Sequence, residues 1–259
     1  MTDLRYLFDG HRSVMLLDLE TTGLCPETDE VIEMAAVIIA YDRERDGVVI
    51  SDTLNCLVKL PEGQRLSAEI TALTGITQNM LDSHGLTPRD AASRFMDMMY
   101  GGDLDCVLIV AHNAHFDLSF LNTFLRKYFP RRVGFSVDVL DTLTVLKDRK
   151  PYPHRLSDAI THYSLEQKVK NSHRALDDVM ALYAVLMEMI RERNDLHEYI
   201  NLIGYNPRYG VKGGLIGERV QYRPQHSKSP KKLYEAGKLT LDDMIAEYRR
   251  CTDNELSPT

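Results

Sequence analysis

Residues 14–24 read VMLLDLETTGL: four apolar residues run straight into Asp18 and Glu20, and Thr21-Thr22-Gly23 follows. The apolar run predicts a buried strand over 14–20. Positions i and i+2 of a strand share a face, so both carboxylates project together from its end. Burying two like charges side by side is unfavourable unless a cation compensates them. Thr21-Thr22-Gly23 then predicts a turn, with Gly23 admitting a sharp bend. An ordinary strand end with exposed acids explains D-x-E alone; the flanking apolar strand and TTG favour a buried pair.

Outward from this strand, an apolar run at 31–41 and another at 53–59 predict two more strands. DRERDG separates them, so the three suggest an antiparallel meander. Residues 67–82 predict short helices broken at Thr74-Gly75, and Thr87-Pro88 opens a helix to about residue 100. A fourth strand is expected over 106–111, followed at once by a helix over 115–128. Shorter helices are expected at 141–147 and 156–163, and a strong one over 172–191. Strands first, then strand alternating with helix, predicts an α/β layered domain over residues 1–200.

Two further stretches carry acids of the same kind. In IVAHNAHFDLSFL (109–121), Asp117 has Phe120, Leu121 and Phe124 at +3, +4 and +7, which puts it beside the buried face of its helix. Helix capping is the simpler explanation for this residue alone. In SHRALDDVMALY (172–183) the acids Asp177 and Asp178 are adjacent. Asp178 leads the stripe Leu182, Val185, Met189; Asp177 leads Ala181, Ala184, Glu188, which drifts toward solvent. The inward carboxylate is therefore Asp178. His173, five positions earlier, stands where it could take a proton from an attacking water.

Four carboxylates and a histidine suit metal-dependent cleavage of a phosphodiester. Two divalent ions about 4 Å apart can clamp a phosphate, activate water and stabilise the leaving oxygen. Carboxylate oxygens favour Mg²⁺ or Mn²⁺, whereas zinc brings several His or Cys ligands.

These residues resemble the DEDDh family of 3′–5′ exonucleases, whose fold is RNase H-like. Its D-x-E-TTG motif matches Asp18 to Gly23, H-N-x-x-F-D matches His112 to Asp117, and H-x-A-x-x-D matches His173 to Asp178. The related tyrosine branch would place Tyr at 174, which is Arg here. The resemblance covers about residues 12–192. It implies an RNase H-like mixed sheet, with antiparallel strands 1–3 plus parallel strands, flanked by helices. It implies that Asp18, Glu20, Asp117 and Asp178 bind two ions of Mg²⁺ or Mn²⁺ and that His173 is the general base. It also implies contacts to the 3′-terminal nucleotide from Thr21, Leu24, Leu73, Thr74, Asn113 and Phe116. Within the family, AHNAHFDLSFL and TALTGIT resemble the proofreading (epsilon) type of bacterial DNA polymerase III. The implied partners are single-stranded DNA or RNA 3′ ends and a DNA polymerase subunit. The expected activity is 3′–5′ hydrolysis of single-stranded DNA to nucleoside 5′-monophosphates. The alternatives are an RNA-trimming or oligoribonucleotide-degrading exonuclease and a non-catalytic nucleic-acid-binding module.

Bulk properties agree. The net charge of −7 over 259 residues argues against coating nucleic acid through a broad basic surface, and metal-bound acids reverse the local field. Four cysteines without a CxxC pair imply neither a zinc site nor a disulfide framework, so a cytoplasmic setting is expected. No apolar run approaches the ~20 residues of a membrane span, and the N-terminus does not read as a signal peptide. Residues 201–259 read as a separate basic extension. Within it, 208–250 holds ten Lys or Arg against five Asp or Glu, and a terminal helix is expected over 240–250. The extension reads either as a partly flexible tail or as a nucleic-acid or partner contact.

Overall fold

A computed structural model describes residues 7–8, 10–100, 107–129, 137–170 and 172–202. Strands β1 (Ser13–Thr21), β2 (Val31–Asp42) and β3 (Gly47–Leu57) form the expected antiparallel meander. β4 (Val107–Ala111) and β5 (Asp138–Asp141) add in parallel, giving the order β3-β2-β1-β4-β5. This is the mixed sheet that the resemblance implied. The basic extension, from residue 203 onward, and its expected helix over 240–250 lie outside the described residues.

Alternation along β1 builds two apolar layers. Val14 and Leu16 pack with Val110, Leu140, Val179 and Val185 on one face of the sheet. Met15, Leu17 and Leu19 pack with Ile109, Phe95 and Leu121 on the other. Helices α3 (Pro88–Tyr100) and α4 (Ala114–Tyr128) cover the second face. Helices α5 (Thr142–Arg149), α6 (Leu156–His162) and α7 (Ala175–Glu192) cover the first. Asp18 and Glu20 share the parity of Val14 and Leu16, so they point toward the face that α7 covers. The break at Thr74-Gly75 falls as expected: Gly75 ends α1 (Ala68–Thr74) at φ 70, and Thr77 caps α2 (Gln78–His84).

Three boundaries differ from the sequence expectation. β3 begins at Gly47, because Gly47–Ile50 pairs back onto β2 directly after a tight turn. Exposed Ser51 and Asp52 separate the apolar Val48–Ile50 from the stretch over 53–59 expected as the strand. β5 was not expected at all. It has four residues, two of them acidic, and tertiary contacts make it a strand: it pairs with β4, and Asn201 satisfies both the N–H and the carbonyl of Val139. Finally, α7 begins at Ala175 and not at residue 172, because His173 adopts φ 52 and breaks the helical path.

Helix α7 is held at both ends by charges of the sign its dipole favours. At its start, the Ala175 N–H donates to Glu33 Oε2 at 3.0 Å. At its end, Arg149 Nη1 donates to the Met189 carbonyl at 2.6 Å, and the same guanidinium pairs with Asp195. Among the described residues, no helix is long and apolar enough to cross a membrane.

Candidate active site

The acids meet at the C-terminal end of the central strand β1, where α4 and α7 begin. Asp18 and Glu20 are half-buried, while Asp117 is 3 % exposed and Asp178 5 % exposed. Asp177, one residue away, is exposed. Asp117 comes from the first turn of α4 and accepts the Leu19 N–H at 3.0 Å. Leu19 lies between Asp18 and Glu20, so one hydrogen bond ties α4 to the acidic strand end. Asp178 comes from the first turn of α7 and accepts the Ser172 N–H at 3.1 Å. Ligand atoms of Glu20, His173 and Asp178 all lie within 4.8 Å of one another. His173 is exposed at the start of the turn into α7. This triple makes His173 a potential ligand as well as a base.

The electrostatics are those of crowded acids. Burial, then Asp117, Asp178, Glu20 and Glu33, hold the Asp18 carboxyl well above the usual carboxylate range. Burial, then Asp178 and Glu33, push Glu20 up to about 7, and Arg174 opposes them. Burial raises Asp117 well above its ordinary value, although the Leu19 N–H favours its charged form. Such a cluster attracts cations.

The expected nucleotide contacts occupy varied settings. Leu24, 85 % exposed, and Leu73, 53 % exposed, present apolar surface to solvent. Thr21 is buried and its hydroxyl donates to the Gly23 carbonyl at 2.6 Å. Thr74 is buried too; its hydroxyl donates to the Ile70 carbonyl and accepts the Ile76 N–H. Asn113 is exposed, at φ 72, and its N–H donates to Asp141 Oδ1 at 2.9 Å. Phe116 is half-buried, with its ring centroid 4.9 Å from that of Phe120. Gly23 matters for close approach: a Cβ there would meet Asp29 Oδ2 at 2.4 Å, and that oxygen is engaged by the Cys25 N–H.

Sequence reading missed three residues around the site. Glu33 is 1 % exposed and sits directly across the β1–β2 ladder from Glu20. Arg174 pairs with it through Nε and Nη2. A lone acid inside VIEMAAV was the available signal, because a buried charge requires a partner. Asp141, 2 % exposed, caps α5 through the Leu143 N–H while holding the Asn113 N–H, which joins β5 to the start of α4. Nearby, burial lowers the His112 pKa. Its Nε2 lies 2.9 Å from the His154 carbonyl and its Nδ1 3.0 Å from Thr142 Oγ1, whose hydroxyl donates to the Ala111 carbonyl.

Comparison with known proteins agrees with this geometry. The RNase T-type exonuclease family matches residues 15–186. A PolC-type DNA polymerase III from Thermotoga maritima is 31 % identical over 188 residues, covering 70 % of this chain and 12 % of that protein. The chain thus spans about an eighth of the length of this curated relative. Escherichia coli Exonuclease I in complex with a dT13 oligonucleotide superposes with a TM-score of 0.58 at 21 % identity, over 73 % of this chain and 43 % of that one. The nuclease domain of 3′hExo, a DEDDh family member bound to rAMP, superposes at 0.57 and 19 % identity, over 70 % and 93 %. With the family match running across all three motifs and the RNase H-like sheet beneath them, the chain belongs to the exonuclease family.

Proposed function

We propose that the protein is a metal-dependent 3′–5′ exonuclease that trims single-stranded DNA ends to nucleoside 5′-monophosphates. One observation carries this reading: Asp18, Glu20, Asp117 and Asp178, distant in sequence, converge with His173 at the C-terminal end of β1. The donor set fits Mg²⁺ or Mn²⁺. Its four acidic members offer only oxygen atoms, and burial with mutual repulsion lifts three of them, an imbalance that two dications relieve. When bound, such ions supply charge stabilisation at the phosphate and acidify the attacking water.

The chain's own residues do the remaining work. Asp117 and Asp178, locked by backbone N–H groups, hold their carboxylates in fixed positions. His173 takes the proton of the attacking water. Leu24 and Leu73, both exposed, would offer apolar contact to the terminal base, with Phe116 and Asn113 contributing to the same nucleotide. Thr21 and Thr74 would act through the turns they hold, since their hydroxyls bond within the chain.

The relatives are DNA polymerases of the PolC type, and one fold neighbour holds an oligodeoxynucleotide, which supports DNA as substrate. RNA is the second reading, supported by the neighbour bound to rAMP. A polymerase subunit is the proposed protein partner, and the basic extension 201–259 the proposed region for contacting nucleic acid or that partner. The cysteine pattern supports a cytoplasmic setting. The test is degradation of end-labelled DNA and RNA oligonucleotides with Mg²⁺, Mn²⁺ or chelator. Metal-dependent shortening from the 3′ end supports the proposal. Binding without shortening, or shortening from the 5′ end, sinks it.

A further inference from the structure

His173 faces a conformational problem. Its φ of 52 lies in the left-handed region, which a residue bearing a Cβ avoids. It is also exposed, so packing does not immobilise it. The restraint comes from its neighbours. Before it, the Ser172 N–H donates to Asp178 Oδ1 at 3.1 Å. After it, Arg174 sets Nη2 2.7 Å and Nε 3.1 Å from Glu33 Oε1, and the Ala175 N–H donates to Glu33 Oε2 at 3.0 Å. One clamp is a member of the acidic cluster. The other, Glu33, stands outside it on β2.

Glu33 and Arg174 suit this task for a physical reason. Glu33 lies opposite Glu20 in the antiparallel register, where like charges repel. That repulsion and its near-complete burial make the guanidinium partner necessary. The planar fork of Arg174 then fixes its own direction, as a lysine would not. The backbone that carries this fork begins one residue after His173. We propose that Glu33 and Arg174 are positioning residues for phosphodiester hydrolysis, holding the left-handed turn at His173 so that its imidazole stays beside Glu20 and Asp178. The inference rests on the function proposed above, specifically on proton transfer by His173.

Kinetics of Glu33→Gln, His173→Ala and the double variant on 5′-labelled single-stranded DNA with Mn²⁺ test it. Amide hydrogen exchange over 172–178 in the metal-free protein adds a readout independent of activity. Glu33→Gln is expected to lower kcat about 10- to 100-fold with KM within about 2-fold, and to speed exchange over 172–178. In the His173→Ala background it removes less than about 2-fold more, because both changes act through one residue. Arg174→Lys retains part of the lost kcat. Losses that multiply in the double variant overturn the proposal, as does Glu33→Gln with unchanged kcat and exchange. Should Glu33→Gln fail to fold, Arg174→Met, at a side chain 37 % exposed, carries the same cycle. Unchanged kcat in His173→Ala overturns instead the proposed role of His173, and the positioning role falls with it.

Discussion

The Leu19 amide donates to Asp117 Oδ1 across 3.0 Å, at the one backbone position between Asp18 and Glu20. An asparagine oxygen accepts that hydrogen bond in the same geometry, but brings no charge. Asp117→Asn should therefore fold, and in chelator it should melt no lower than the parent, since one buried, repelled carboxyl is gone. Its turnover should fall by about two orders of magnitude or more, and Mn²⁺ should raise its melting temperature less. Thermal melts with and without Mn²⁺, beside a nuclease assay, check this. A variant that cleaves like the parent removes Asp117 from the reaction.

The raised carboxyls make metal-free stability depend on pH. Glu20 moves from an ordinary value of 4.5 to about 7 in the folded protein. Between those values the folded state binds more protons than the unfolded one, so stability falls as pH rises through that window. Asp18 and Asp117 act in the same direction. Divalent ions require the ionised forms and offset the loss. Melts in chelator should show lower stability at about pH 8 than at about pH 5.5, and Mg²⁺ or Mn²⁺ should stabilise far more at the higher pH. Equal metal-induced shifts at both would contradict a cation site built on these acids.

His173→Ala separates two roles that the geometry allows. If the imidazole moves a proton, kcat should drop by about 10²- to 10⁴-fold while the Mn²⁺ concentration for half-maximal activity stays near that of the parent. If it is a ligand beside Glu20 and Asp178, metal affinity falls together with rate. A manganese titration of both proteins decides, and the expected outcome is the first.

Arg149 offers a contrast at the other end of α7. Its side chain is 3 % exposed, pairs with Asp195 and Glu192, and caps the Met189 carbonyl. Arg149→Met removes the Met189 cap, while Asp195 keeps Arg193 and Glu192 keeps Lys150, so the chain should lose about 2 kcal/mol of stability. Well below its melting temperature the variant should keep parental kcat, because this end of the helix is remote from Asp178. Denaturant midpoints and low-temperature kinetics test both halves; a large kcat defect in the folded variant would refute the separation.

Much of this molecule was readable without coordinates, and the reasons are local. The apolar runs at 14–17 and 31–41 identified the central strands, since burial on both faces leaves that mark on any sequence. Helical phase distinguished Asp178 from Asp177, and the two are respectively buried and exposed. β5 escaped because DVLD has no periodicity to detect, and only the start of β3 escaped, because exposed polar residues part Val48–Ile50 from the stretch that was expected. Glu33, Arg174 and Asp141 escaped because each acts on a residue remote in the chain.

The sequence by itself determined that Asp18, Glu20 and Asp178 lie on inward faces and that three motifs stand at the ends of their elements, because pleat and helical pitch translate spacing into direction. Only tertiary structure decided that Glu33 faces Glu20, that Arg174 reaches back 141 positions to neutralise it, and that Asp117 docks on the Leu19 amide. Those relations follow from strand register and from where α4 and α7 meet the sheet. Neither is written in any single stretch of residues.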